Sequence, residues 1–211
     1  MYYSKGYGSG ANRTVIHFMG GGWCTGFDNS SVLENCYLRT FTNAGSTSPT
    51  VPSPWLDTLD YIDYAFPGWE YDDMNFYNWN RFFFIYCDGM GHQGYIEDPI
   101  QIKDKSLYFR GINNTMANLD FIFKLLPAEL TDMFVVCGCS AGGLATYTWV
   151  DYIADYIKQR NSVAKVYGLA DSGFFIDYPS NLTGVNIFGG WMKAVVDLAN
   201  HRVPLPNTKC L

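Results

Sequence analysis

Hydrophobic residues along the chain fall into short β-type runs that alternate with segments of helical period. Runs rich in aromatic and β-branched residues predict strands at residues 14–19, 81–87, 133–137 and 163–169. Residues 81–87 are almost wholly apolar, as expected of a strand that is covered on both faces. Strands that alternate with helices along the chain predict a mostly parallel sheet with helices on both faces.

Apolar residues at spacings of three and four mark the helical segments. They predict helices near residues 31–41, 112–126, 144–158 and 191–199. Residues 24–80 otherwise form an irregular stretch with many Gly, Ser and Pro residues, and residues 88–110 are predicted to form a polar loop. Because no internal repeat or linker occurs, we expect a single domain over residues 1–211.

A Gly-Cys-Ser-Ala-Gly pentapeptide at residues 138–142 lies between a predicted strand and a predicted helix. This strand–turn–helix context is that of a nucleophile elbow, in which a tight turn holds the serine out over the carboxyl end of the sheet. Ser140 is therefore the predicted nucleophile. The predicted fold class is an α/β-hydrolase-like sheet, and the alternative is a Gly-rich helix entry with Ser140 as its capping residue.

A second glycine-rich turn follows the predicted strand at residues 14–19. A serine ester hydrolase needs backbone N–H groups that bind the oxyanion of its tetrahedral intermediate. We expect these donors from Gly21, Gly22 and Trp23 in this turn, and from Ala141 directly after the nucleophile.

A serine nucleophile also needs a histidine base and an acid, which follow it in this fold in the order Asp or Glu, then His. His17 lies in a predicted strand and is interpreted as a core residue, whereas His92 lies in a loop and could line the pocket. His201 follows Ser140, and Asp171 stands between them at a strand end. The order of residues in the chain therefore allows a compact triad of Ser140, Asp171 and His201.

Composition and charge limit the ligands that the protein can bind and the compartment in which it folds. With 14 Lys and Arg against 20 Asp and Glu, the net charge is −6 and no basic stripe suits nucleic acid. The six cysteines show no CxxC spacing, so we expect no metal site.

Four N-x-Ser/Thr tripeptides in a cysteine-bearing chain favour the secretory pathway and predict glycosylation. Their asparagines are Asn12, Asn29, Asn113 and Asn181. We expect no segment long and apolar enough to span a membrane.

Six segments in order along the chain resemble the pectin acetylesterase family, a group that also includes the Notum carboxylesterases. They are GGGWC at 20–24, FYNWNR at 76–81, YCDG at 86–89, YFRG at 108–111, GCSAGG at 138–143 and DSGFF at 171–175. The resemblance implies an α/β-hydrolase fold and a secreted enzyme that hydrolyses an O-acyl ester without a cofactor. It also implies a disulfide between Cys24 and Cys36.

The resemblance also bears on the triad. It implies that the acid and the histidine lie beyond the segment that resembles residues 189–210, so that Asp171 and His201 match no triad position. The resemblance therefore implies a chain truncated at both ends, with a sheet incomplete at its C-terminal side.

Three functions remain open from the sequence. The first is hydrolysis of O-acetyl groups from polysaccharide, a secreted cell-wall activity with Ser140 as nucleophile and an acetylated glycan as substrate. The second is Notum-like removal of a lipid acyl group from a protein or lipid ester. The third is a non-catalytic module that binds carbohydrate. We expect the chain to be a monomer with neither a nucleic-acid partner nor a cofactor.

Overall fold

The computed structural model describes residues 1–42, 45 and 76–199, which contain seven strands, four α-helices and two three-residue 3-10 helices. The strands are β1 (Tyr2–Ser4), β2 (Arg13–Phe18), β3 (Asn80–Phe84), β4 (Ile100–Ile102), β5 (Lys105–Leu107), β6 (Met133–Cys139) and β7 (Lys165–Asp171). The helices are α1 (Asn29–Arg39), α2 (Gly111–Leu125), α3 (Ala141–Lys158) and α4 (Ile187–Leu198).

The main sheet has the strand order β1-β3-β2-β6-β7. Strands β3, β2, β6 and β7 are parallel, and only β1 pairs antiparallel, with β3. The register sets Phe18 opposite Gly138 and Cys139 opposite Asp171. The carboxyl ends of β2, β6 and β7 therefore meet at one edge, where ligands bind in open parallel sheets.

The largest core cluster lies between this sheet and two helices. Ile16 and Phe134 from the sheet pack with Leu119 of α2 and with Trp149 and Ile153 of α3, all at most 1% exposed. Each such side chain contributes roughly 1.5–3 kcal/mol by leaving water. This packing anchors α3, whose first turn carries the serine turn.

A second cluster joins α1, α4 and the loops that precede α2. Val32 and Cys36 of α1 pack with Val195 and Leu198 of α4. Helix α1 begins with a capping box in which Asp28 and Ser31 exchange hydrogen bonds, an arrangement that satisfies N–H groups left without helical partners.

The sequence predicted the fold class and the main elements, and several boundaries differ. Strand β3 ends at Phe84 rather than at residue 87, and the predicted polar loop at residues 88–110 contains the β4–β5 hairpin. Strand β1 was missed because three residues carry too little periodicity. Helix α3 begins at Ala141 rather than at residue 144. The prediction began the helix after Gly142 and Gly143 because glycine disfavours helix, but both glycines are part of its first turn.

Candidate active site

Ser140 occupies a strained turn between β6 and α3. Its backbone angles are φ 58° and ψ −119°, a region that residues with a side chain rarely adopt. Such strain costs on the order of 1–3 kcal/mol and persists only where the surroundings enforce it. Ser140 is half-buried at the carboxyl edge of the sheet, as the elbow hypothesis requires.

Two glycines permit this turn because no side chain fits at their positions. A Cβ atom on Gly138 would lie 2.3 Å from the Gly142 carbonyl oxygen, and one on Gly142 would lie 2.0 Å from the Phe18 carbonyl oxygen. Both contacts are with backbone, which cannot rotate away. The elbow therefore packs directly onto the end of β2.

The second glycine turn lies against this elbow. A Cβ atom on Gly20 would lie 2.2 Å from the Cys139 carbonyl oxygen and 3.4 Å from Ser140 Cβ. Gly21 and Gly22 follow with φ angles of 124° and 65°. The Arg39 Nη1 group donates a hydrogen bond of 3.0 Å to the Gly21 carbonyl oxygen. The structure thus brings together the two segments that the sequence analysis paired.

The other predicted oxyanion donors flank these turns. Ala141 is the first residue of α3 and is fully buried. Trp23 is half-buried, and its ring meets Phe175 and Phe188 edge-on at centroid distances of 5.0 and 5.7 Å. Aromatic side chains therefore border the turn on the side of α4.

Asp171 contacts the elbow mainly through its backbone. Its carbonyl oxygen accepts the Ser140 N–H at 3.1 Å, and its carboxylate accepts the Ser172 hydroxyl at 2.9 Å. Partial burial, followed by the nearby Asp171 carboxylate, raises the pKa of the Cys139 thiol. The sulfur next to Ser140 is thus protonated at neutral pH and is a poor nucleophile.

The histidines lie in different surroundings. His17 is half-buried on β2, stacks on Phe83 and has Nδ1 3.4 Å from the Cys137 sulfur. Burial lowers the pKa of His17 to about 4. His201 lies outside the described residues, so the Ser140–Asp171–His201 arrangement stays a prediction.

His92, which the sequence analysis considered as a residue that could line the pocket, lines neither of the two cavities described below. His92 is only 4% exposed, and its Nε2 atom lies 2.9 Å from the Met19 carbonyl oxygen. No local sequence signal marks this contact or that of Arg39 with Gly21, since each joins residues that are not neighbours in the chain.

The predicted disulfide between Cys24 and Cys36 is confirmed, with Cα atoms 5.1 Å apart. It ties the residue that follows Trp23 to α1. The four sequon asparagines are all exposed. In the described part of the chain, no cluster of three His, Cys, Asp or Glu side chains could hold a metal ion. No helix there is long and apolar enough to cross a membrane.

Two cavities are lined by described residues near the glycine turn. The larger, about 430 Å³, lies beside the disulfide and is bordered by Arg39 and Lys105. The smaller, about 40 Å³, is mainly apolar. It lies between Trp23, α4 and Leu144, whose backbone N–H bonds to the Ser140 carbonyl oxygen. The smaller cavity is therefore one helical turn from the elbow.

The parallel sheet with a serine elbow at its carboxyl edge defines an α/β-hydrolase-like protein. A family model described as Pectinacetylesterase matches residues 1–211. The chain belongs to the pectinacetylesterase family, as its sequence motifs predicted.

Curated relatives and solved structures agree with this family and this fold. Pectin acetylesterase 11 and pectin acetylesterase 7 of Arabidopsis thaliana are each 30% identical to the chain, over 97% of it and 48% of the relative. The chain thus spans about half the length of these relatives. A structure of the Wnt deacylase Notum from Drosophila superposes with a TM-score of 0.69 at 19% identity, covering 96% of this chain and 55% of that one. A second crystal form gives a TM-score of 0.63 at 21% identity, covering 90% and 52%.

Proposed function

We propose that this protein is a serine carboxylester hydrolase that removes O-acetyl groups from polysaccharide through an acyl-enzyme on Ser140. The observation that carries the proposal is the strained Ser140 turn, packed against the glycine turn at the carboxyl edge of the sheet. Membership of the pectinacetylesterase family supports the ester substrate. The names of the relatives support the acetyl group and pectin as its carrier.

In the proposed reaction, Ser140 Oγ attacks the acetyl carbonyl and gives up its proton to a general base. The tetrahedral oxyanion accepts hydrogen bonds from backbone N–H groups of Ala141 and of the turn formed by Gly21, Gly22 and Trp23. The sugar hydroxyl leaves with a proton, and water then attacks the acetyl-serine to release acetate. Each well-placed donor contributes about 3 kcal/mol to this step.

We take the small cavity beside Leu144, rather than the larger one beside the disulfide, as the site of the acyl group, and its size then admits a short acyl group and excludes a fatty one. Its volume of about 40 Å³ compares with the roughly 10–15 Å³ that one water needs on the same measure. An acetyl methyl fits such a space, whereas a long fatty chain does not. Similarity to the Notum structures supports the shared fold and leaves lipid deacylation as the second candidate.

A fluorophosphonate probe tests the proposed nucleophile, because it reacts with activated serines. We expect the full chain to be labelled, the Ser140→Ala variant to lose the label, and Ser172→Ala to keep it. Ser172 is a matched control because it also has a positive φ and lies at the neighbouring strand end. Labelling that survives in Ser140→Ala would contradict the proposal.

Acetate release separates the candidate functions. The proposal predicts release from acetylated pectin and faster cleavage of p-nitrophenyl acetate than of p-nitrophenyl palmitate. Preference for the palmitate ester would favour lipid deacylation. A folded chain that binds glycan but neither reacts with the probe nor releases acetate would favour the non-catalytic module.

We further propose that the protein folds in the secretory pathway. The Cys24–Cys36 disulfide requires an oxidising compartment. All four sequon asparagines are exposed, so glycans can extend into solvent from each. Structural disulfides are rare in cytosolic proteins, and the exposed sequons agree with the same compartment.

A further inference from the structure

His92 lies in the core directly behind the glycine turn. The Nε2 atom of its imidazole ring is 2.9 Å from the Met19 carbonyl oxygen. A carbonyl oxygen only accepts hydrogen bonds, so the proton of the neutral ring is on Nε2. Met19 itself donates its N–H to the Phe84 carbonyl oxygen at 3.0 Å. The last residue before the turn is thus held on both its polar groups.

This contact determines which way the turn begins. Peptide bonds in the described residues are trans, and in a trans peptide the carbonyl and the following N–H point in opposite directions. With the Met19 carbonyl directed at His92, the Gly20 N–H must point away from His92. Gly20 is also the residue that packs against Cys139 and Ser140. The direction of this one peptide therefore affects where Gly21 and Gly22 lie relative to the elbow.

The imidazole ring is itself rigidly held. It stacks on Tyr86 at a centroid distance of 4.6 Å and meets Phe18 edge-on at 5.0 Å. The Trp149 indole N–H donates to the His92 carbonyl oxygen at 3.2 Å. Since Trp149 belongs to the helix that follows Ser140, His92 links the glycine turn to the helix of the elbow.

The loop around His92 is built to keep the ring in this position. His92 has a φ of 62°, a conformation that costs free energy for a residue with a side chain. Asp88 accepts the backbone N–H groups of Met90 and Gly94 at 3.1 and 2.9 Å. Burial lowers the pKa of the His92 imidazole and the Asp88 carboxylate acts against this.

We propose that His92 is a positioning residue: by donating from Nε2 to the Met19 carbonyl, it orients the glycine turn that binds the oxyanion. The catalytic part of this inference rests on the proposed esterase function. The geometric part, control of the turn by one hydrogen bond, stands independently and can be measured without activity.

Two variants separate the hydrogen bond from the packing of the ring. His92→Phe keeps an aromatic ring between Tyr86 and Phe18 but has no donor. His92→Gln loses the ring but carries an amide NH₂ that can reach the same carbonyl. Both place a side chain at the same positive φ, so backbone strain is matched.

The first measurement is NMR on the full chain labelled with ¹⁵N-glycine and ¹⁵N-tryptophan. We expect the amide signals of the turn, residues 20–23, to shift in His92→Phe and to stay near their wild-type positions in His92→Gln. Gly168 and Gly184 serve as distant references. Unchanged turn signals in a folded His92→Phe variant would overturn the inference, as would equal shifts in both variants.

The second measurement is the rate at which a fluorophosphonate labels Ser140. A turn displaced by about 1 Å lowers such rates on the order of 100-fold, so we expect a loss of about 10- to 100-fold in His92→Phe. His92→Gln should stay within about threefold of wild type. If the wild-type chain is not labelled, the esterase function fails, and the amide shifts still decide the role of His92.

A wild-type measurement covers the case in which both variants fail to fold. Long-range ¹H–¹⁵N spectra of the histidine rings should show His92 as the neutral tautomer protonated on Nε2 at pH 7, with a proton that exchanges slowly with water. A ring protonated on Nδ1, or on both nitrogens, would refute the proposed hydrogen bond.

Discussion

Gly142→Ala is the substitution that best tests the contact between the elbow and β2. Replacing glycine by alanine inside a helix ordinarily stabilises it by about 1 kcal/mol, because alanine loses less backbone entropy on folding. Gly142 lies in the first turn of α3, so helix propensity alone predicts a gain. The structure predicts the opposite sign.

The reason is a collision with backbone atoms. The new Cβ atom would lie 2.0 Å from the Phe18 oxygen and 3.1 Å from the Met19 carbonyl carbon. The first distance is 1.0 Å short of the 3.0 Å below which Cβ contacts essentially do not occur. Overpacking of this kind costs about 1–3 kcal/mol or more. Because the 2.0 Å contact is so far below this limit, we take the upper part of that range, about 2–3 kcal/mol, and after the propensity gain is subtracted we expect a net loss of about 1–2 kcal/mol.

Gly190→Ala is the matched control. Gly190 also lies in a helix, α4, but its Cβ atom would meet only the Phe27 ring at 2.8 Å, and that side chain is 60% exposed and can turn aside. The control should be neutral or up to about 1 kcal/mol more stable than wild type. The two variants should therefore differ by about 1–3 kcal/mol in urea unfolding.

Thermal unfolding and probe labelling complete the test. For a chain of this length, each kcal/mol shifts Tm by roughly 2–4 °C, so Gly142→Ala should melt about 2–8 °C below wild type. Because the strain falls on residues 18 and 19, next to the glycine turn, labelling of Ser140 should slow as well. Equal stability of Gly142→Ala and Gly190→Ala would refute the inferred close packing of Gly142 against the end of β2.

Three further predictions concern other parts of the molecule. Removing the disulfide with Cys24→Ala and Cys36→Ala, which are 12 residues apart, should lower the free energy of unfolding by about 3 kcal/mol; unchanged urea midpoints would contradict this. His17 has a pKa of about 4 in the folded protein against roughly 6.5 when unfolded. The unfolded state thus binds more protons between these values, and stability should fall by about 1 kcal/mol from pH 7 to pH 5.5. His17→Phe should lose this part of the pH dependence. Expression through a eukaryotic secretory pathway should yield a glycoprotein whose mass falls on treatment with peptide N-glycosidase, and replacing the four sequon asparagines by glutamine should abolish the change.

How far the sequence predicts this structure depends on how local each feature is. The strand that leads into Ser140 and the helix after it were predicted because β-rich and helical patterns extend over several residues on each side. The pairing of the elbow with the glycine turn also followed, since both come after strands of one parallel sheet. Motifs that lie at strand ends are thus predictable even when they are about 120 residues apart.

Features that depend on a single long-range contact were not predictable. The His92 ring reaches Met19 across 73 residues of chain, and no periodicity marks either residue. The β4–β5 hairpin was missed for a related reason: three-residue strands carry too few alternating positions to stand out from a loop. Most residues of β7 are exposed, because β7 is an edge strand of the described sheet. This exposure was not predictable either, since it depends on which elements lie beside the strand rather than on its own residues.

The backbone at Ser140 also bears on whether this serine serves structure or chemistry. A capping serine has extended φ and ψ angles and accepts a hydrogen bond from the first helical turn, which stabilises the helix by about 1 kcal/mol. Ser140 makes no such side-chain bond and has a φ of 58° instead. The turn at Ser140 therefore lacks the stabilisation that a capping hydrogen bond provides, and it is also strained by roughly 1–3 kcal/mol. A purely structural helix entry has no need of this geometry, whereas a nucleophile that must project beyond the sheet requires it.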